Sequence, residues 1–155
     1  MISPELLRRY PFFAFSDETQ LRAVAMLSEE IEVEDGALVI EGGRPADTLC
    51  LLVEGSLDLY YVVADREDPE LNKEFFLSEF SAGDVFGISA LIEPHVYTTS
   101  VRASTASRVV KMDGPGLRAL CEVDARIAVG LMKSIAKAAM ERLNDTRVQL
   151  AAARA

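Results

Sequence analysis

The chain has 155 residues, half of them hydrophobic, which suits one domain with a sizeable core and is too apolar for a disordered segment. A formal net charge of −9 repels phosphate backbones and argues against direct nucleic-acid binding. No apolar run approaches the ~20 residues of a membrane span. Met1–Glu5 lacks the basic and apolar regions of a signal peptide, and the isolated Cys50 and Cys121 read as reduced buried thiols, so a cytoplasmic location is expected.

Ser3 can cap a first short helix, with Pro4 at its first position and Leu6 and Leu7 as its apolar side. Tyr10-Pro11-Phe12-Phe13 ends it. Ser16, Asp17 and Glu18 open a second helix, whose Leu21, Val24, Ala25 and Leu27 form a core stripe. From Glu30 the pattern alternates. Ile31 and Val33 stand between glutamates, and Asp35-Gly36 reads as a hairpin-type turn into Ala37–Ile40. Further strands are expected at Thr48–Val53, Leu57–Val63, Glu74–Leu77, Val85–Phe86, Thr99–Ala103 and Arg108–Met112. These make about eight short strands punctuated by glycine, the pattern of an antiparallel barrel or two-sheet roll. The acidic run Asp65–Glu70 is a solvated loop between two of them. Between Phe86 and Thr98, Ile88–Ile92 reads as a one-turn apolar helix stopped by Pro94. A strand, a glycine, a short helix and a loop can present backbone N–H groups to an anion.

Asp113 caps a return to helix, loosened by Gly114-Pro115-Gly116, and from about Val123 to about Leu150 a single long helix is expected. It carries two apolar stripes. Ile127, Leu131, Ile135 and Ala138 are placed to pack on the barrel. Ala125, Val129, Met132, Ala136, Ala139, Leu143, Thr146 and Leu150 repeat at alternating spacings of four and three, as a two-stranded coiled coil requires. A homodimer through this seam is therefore expected.

The motifs Glu41-Gly42 with Ala46-Asp47, Glu54-Gly55-Ser56-Leu57, Gly83-Asp84-Val85-Phe86-Gly87 and Ser100-Val101-Arg102-Ala103 occur here in one order. Together with helical ends and a central barrel, this order resembles the cyclic-nucleotide-binding domain. That family includes the sensor domains of catabolite-activator-type transcription factors, kinase regulatory subunits and gated channels. The resemblance runs from Tyr10 to about Arg147. It implies a mainly β fold: an antiparallel double-stranded β-helix, or jelly-roll barrel, at about 30–112 within a single domain 1–155, flanked by short N-terminal helices and a long C-terminal one.

In that family the segment Ser81–Val101 is the phosphate-binding cassette, roughly F-G-E-x-A-L, a spacer, then R-x-A-[ST]-V. Phe86, Gly87, Ala90 and Leu91 match it. The glutamate that contacts the ribose is replaced by Ile88, and the arginine that pairs with the cyclic phosphate is replaced by Tyr97. Hydrogen bonds to charged groups contribute about 1.5–3 kcal/mol each, so losing both costs roughly two to four decades of affinity. The resemblance thus implies a candidate pocket of Phe86, Gly87, Ile88, Ser89, Ala90, Leu91, His95, Tyr97, Thr98 and Thr99. In it the backbone N–H groups and hydroxyls could receive an anion without neutralising it, while protonated His95 could stand in for the arginine. Arg102 falls on the outer side of its strand, and Thr146 lies near where some relatives touch the base.

No catalytic set assembles. One histidine, no CxxC and no G-x-S-x-G elbow or P-loop lysine exclude the usual metal, triad and phosphate-loop chemistries. The expected function is that of a non-enzymatic regulatory or sensor module whose pocket has lost its charged contacts and which acts through a protein partner. The alternative is a working cAMP or cGMP receptor using backbone amides and His95. A cyclic nucleotide or another small molecule is the expected ligand, and no metal is expected. The long helix ends at Ala155 without room for a helix-turn-helix, which fits a stand-alone module or a piece of a longer protein.

Overall fold

The structure, a computed structural model, describes all residues Met1–Ala155. It opens with α1 (Pro4–Arg8), capped by Ser3 and followed by a 3-10 turn at Pro11–Phe13. The helix α2 (Glu18–Met26) starts one residue later than the sequence suggests. Its cap is Asp17, in a reciprocal box with Gln20, because only Asp17 stands three residues before a side chain that can return the bond.

Eight strands follow: β1 (Ser28–Val33), β2 (Leu38–Ile40), β3 (Thr48–Glu54), β4 (Leu57–Val63), β5 (Lys73–Phe80), β6 (Val85–Phe86), β7 (Ser100–Ala103) and β8 (Ser107–Asp113). They form two four-stranded antiparallel sheets, ordered β1-β8-β3-β6 and β2-β7-β4-β5. This is the expected jelly roll, with one correction. Asp35-Gly36 does not close a hairpin. β1 pairs with β8 and β2 with β7, so the turn carries the chain from one sheet to the other. Hydrogen bonds from Gly36 N to Ala103 O and from Ala103 N to Ala37 O hold it against β7 instead. Pairing across the roll satisfies these backbone groups as well as a hairpin would.

Consecutive buried residues mark the centre of the first sheet. Leu49, Cys50, Leu51 and Leu52 are all buried, although neighbours on a strand face opposite sides. Both faces are therefore covered: by the second sheet within the roll, and by helices packed against the outer side, α2 on β1 and α3 (Gly114–Val123) on β8. The pKa of the Cys50 thiol is pushed up to about 12 by this burial, and no disulfide joins it to Cys121.

Asp124 breaks α3 from α4 (Ala125–Arg154). Its carboxylate accepts from the N–H groups of Arg126 and Ile127 and from the Gln20 side chain, contacts that lower its pKa. From that cap α4 runs back along the molecule, burying Ile127, Leu131 and Ile135 while Ser134 donates to the Phe12 carbonyl. The stripe expected to pack on the barrel is the buried one, but its Ile127–Ile135 part packs on the Pro11–Phe13 turn and α3, and Ala138 is half-buried at the cavity.

Gly55 holds the β3–β4 corner. Its φ of 109° suits only glycine, and a Cβ there would lie 2.6 Å from Ser107 Cβ and 2.8 Å from its Cα. Ser107 cannot yield, because its hydroxyl accepts from Ser56 N and donates to Thr105 O. We expect Gly55→Ala to lower stability by about 3 kcal/mol or more in urea unfolding, combining backbone strain with overpacking. A cost under about 1 kcal/mol would mean that β8 shifts freely at this corner.

Candidate functional site

The cavity of interest lies between the second sheet, the cassette segment and α4. It encloses about 250 Å³ and is lined by 18 residues, 12 of them hydrophobic. One wall is the cassette. Gly87, at φ 73°, turns the chain from β6 into a 3-10 turn at Ile88–Leu91, and a Cβ at Gly87 would meet the Thr48 carbonyl at 2.9 Å. The turn is fastened from behind: Arg118 of α3 donates to the Ala90 carbonyl. Gly114 N likewise donates to Asp47 O at the start of β3.

Tyr97 forms the next part of the wall, and its phenol is fully engaged. The hydroxyl donates to the Thr48 carbonyl at 2.6 Å and accepts from Thr48 N at 3.1 Å, with the Thr48 hydroxyl a further 3.1 Å contact. Burial raises its pKa above the ordinary 10, while these contacts with Thr48 pull it back. The ring lines the cavity, yet its one polar atom belongs to β3.

Of the residues expected at the pocket, Phe86, Gly87, Ile88, Ser89, Tyr97, Thr98 and Thr99 line this cavity. Ala90 and Leu91 are buried behind it as core. His95 stays outside the cavity wall. Its carbonyl accepts from Ala46 N, and Val96 beside it bridges to Pro45, so this part of the spacer pairs with the loop before β3.

On the α4 side of the cavity the sequence reading placed only Thr146 near a ligand and missed the rest. Ala138, Ala139, Arg142, Leu143 and Thr146 close it, so three of the residues assigned to the dimer seam (Ala139, Leu143 and Thr146) also face a cavity within the chain. A signal was present: 127, 131, 135, 138 and 142 continue the barrel-facing stripe at helical spacing, and the stripe ends in an arginine. The Arg142 guanidinium sits 4.7 Å from the Phe80 ring centroid, and Phe80 in turn stacks on Phe86 with ring centroids 5.2 Å apart. Arg142 also donates to Ser78 Oγ at 2.9 Å.

Arg102 lies on the outer face as expected, paired with Glu74 and 5.7 Å from the Tyr60 ring centroid. No group of three His, Cys, Asp or Glu side chains is placed to hold a metal ion.

A two-sheet roll with a cassette segment and a closing C-terminal helix is the architecture of a cyclic nucleotide-binding domain. The family model for the cyclic nucleotide-binding domain matches residues 30–124, and the chain belongs to that family. A putative cyclic nucleotide-binding protein from Geobacter metallireducens shares 36% identity and superposes with a TM-score of 0.80, covering 92% of this chain and 99% of that one. The CRP-like cAMP-activated global transcriptional regulator of Mycobacterium tuberculosis is 25% identical over 147 residues, which are 95% of this chain and 61% of that protein. This chain thus spans about 61% of the curated relative's length. The sensor domain of the transcriptional regulator DNR from Pseudomonas aeruginosa shares the fold at 17% identity, with a TM-score of 0.70 over 87% of this chain and 91% of that one.

Replacing Tyr97 by phenylalanine removes the tie to Thr48 and keeps the ring. We expect a loss of about 1–3 kcal/mol, because the Thr48 amide is left short of a partner. At ~2–4 °C per kcal/mol for a domain of this size, thermal unfolding should move down by several degrees. An unchanged Tm would show that water serves Thr48 equally well.

Proposed function

We propose that this protein is a non-enzymatic regulatory module in which the cyclic-nucleotide pocket has exchanged its charged contacts for an apolar lining, and that it acts through a protein partner. The observation that carries this reading is Tyr97. At the position of the phosphate-pairing arginine it offers an aromatic ring, and its hydroxyl is already committed to Thr48. Ile88, at the ribose-binding glutamate's position, adds another apolar wall. A cyclic phosphate in its usual place would have its charge desolvated without a counter-cation, a penalty that adds to the lost hydrogen bonds.

The family membership and the cAMP-activated relative favour the rival reading, a working cAMP or cGMP receptor using backbone amides and His95. Calorimetry with both nucleotides at about pH 6 and about pH 8, on either side of the ordinary histidine range, separates the two. We expect no binding tighter than about 1 mM at either pH. Micromolar binding that His95→Ala abolishes would replace the proposal with the rival.

We also propose that α4 joins two copies of the chain. The seam leaves Val129 and Leu150 about half exposed, at 53% and 52%, and Met132 at 37%, beside the exposed Ala136. Such a row on a helix is what a second helix covers in a coiled coil. Ligand in the cavity and partner on the seam would then share Ala139, Leu143 and Thr146, linking occupancy to assembly. Because charges at those three would disturb the cavity too, the test belongs at Val129 and Met132. Val129→Glu with Met132→Glu should convert a dimer to a monomer by light scattering, with unchanged circular dichroism. A parent protein that is already monomeric defeats this part of the proposal.

A further inference from the structure

Only one side chain lining the cavity carries a formal charge, and it is Arg142. Its close polar contacts converge on one nitrogen. Nη1 donates to Ser78 Oγ at 2.9 Å and lies 3.4 Å from the Asp145 carboxylate. Nη2 has only Glu141, at 3.9 Å. Neither acidic partner lines the cavity, and Asp145 is also occupied by the Ser78 hydroxyl at 2.8 Å. A guanidinium carries five N–H donors in a planar fork, so this one retains donor capacity beyond the contacts it makes. It is held over Phe80, whose ring is itself cavity wall, which fixes the cation at the edge of an apolar space.

Charge complementarity then sets the ligand class. A neutral ligand would leave this cation matched only from outside the cavity. A cyclic phosphate in the usual pose would turn its charge toward Tyr97, at the cassette wall. We infer that the cavity takes a small organic anion, with its apolar body against Ile88, Val101 and Leu143 and its single negative charge on the Arg142 guanidinium. The volume of about 250 Å³ lies below the usual ~300–1,000 Å³ of ligand pockets, which restricts the anion to a small one. The inference rests on the diverged-pocket reading and adds to it the sign of the ligand's charge and the residue that reads it. It also moves the recognising cation from the loop to the helix. An anion drawing on Arg142 competes with Asp145, so binding acts directly on the contacts that fasten α4 to β5.

The test uses matched probes: hexanoate, benzoate and 1-naphthoate, each beside its neutral amide, titrated into isotopically labelled full chain and followed by NMR. We expect at least one carboxylate to shift the amides of Ser89, Thr99 and Ala139 and to bind about tenfold or more tighter than its amide, the contribution of a charge-assisted hydrogen bond. Arg142→Gln should remove that preference. Asp145→Asn, which frees the guanidinium of its internal partner, should strengthen carboxylate binding and serves equally if Arg142→Gln fails to fold. Equal affinity for acid and amide, a preference that survives Arg142→Gln, or shifts from none of the probes overturns the inference. Amides that bind as well as acids leave the apolar-pocket reading standing. Tight cAMP binding at the cassette wall would defeat that reading by itself, whichever way the carboxylates behave.

Discussion

A thirty-residue helix cannot hold itself in place, and α4 is held by one buried stripe. Ile127, Leu131 and Ile135 sit against the N-terminal turn and the helix before it, with Gly130 allowing the Phe15 ring to lie directly on the helix backbone. The apolar area this stripe removes from water stabilises the docked helix by several kcal/mol, at about 1.5–3 kcal/mol for each large side chain. Everything at the site follows from that docking. It brings Ala138, Arg142 and Thr146 over the mouth of the roll, places the guanidinium on Phe80, and converts an open groove between β5 and the cassette into a cavity.

The cassette contributes shape, and the helix contributes charge. Gly87 and the 3-10 turn keep the backbone path of an anion cradle, because the close approach of Thr48 O leaves no room for another residue there. The chemistry along that path is different. Tyr97 spends its hydroxyl on β3, so its gain is structural: it ties the spacer to the start of the strand. The cation that a charged ligand would need stands on α4 instead, fastened by contacts with Ser78 and Asp145 that are modest and exchangeable. A charge mounted on a rigid cassette reads a ligand without moving. One mounted on a helix whose exposed seam shares Ala139, Leu143 and Thr146 with the cavity would, under the proposal, join reading and movement in a single element.

Much of this was legible along the chain. The alternation of Glu30–Val33, the apolar run of β3 and the turn glycines give eight strands, because side-chain period and glycine's backbone freedom are local properties. The spacing of Ile127, Leu131 and Ile135 marks the buried face of α4 for the same reason. The Asp35-Gly36 turn was misread because turn chemistry is local, while the strand with which its neighbour pairs is not. His95 was given a role through its nearness in sequence to Tyr97, yet backbone bonds to Ala46 hold that part of the spacer outside the cavity wall.

The sequence by itself therefore determined the family, the roll and the presence of Ile88 and Tyr97 where the family motif carries a glutamate and an arginine, since each depends on which residue stands at which place in a short motif. Only the tertiary structure decided which charged side chain lines the cavity. Arg142 lies 45 residues beyond Tyr97 and belongs to a different element. Nothing but the packing of α4 across the roll brings it to the cavity, at the one point where an apolar space meets a positive charge.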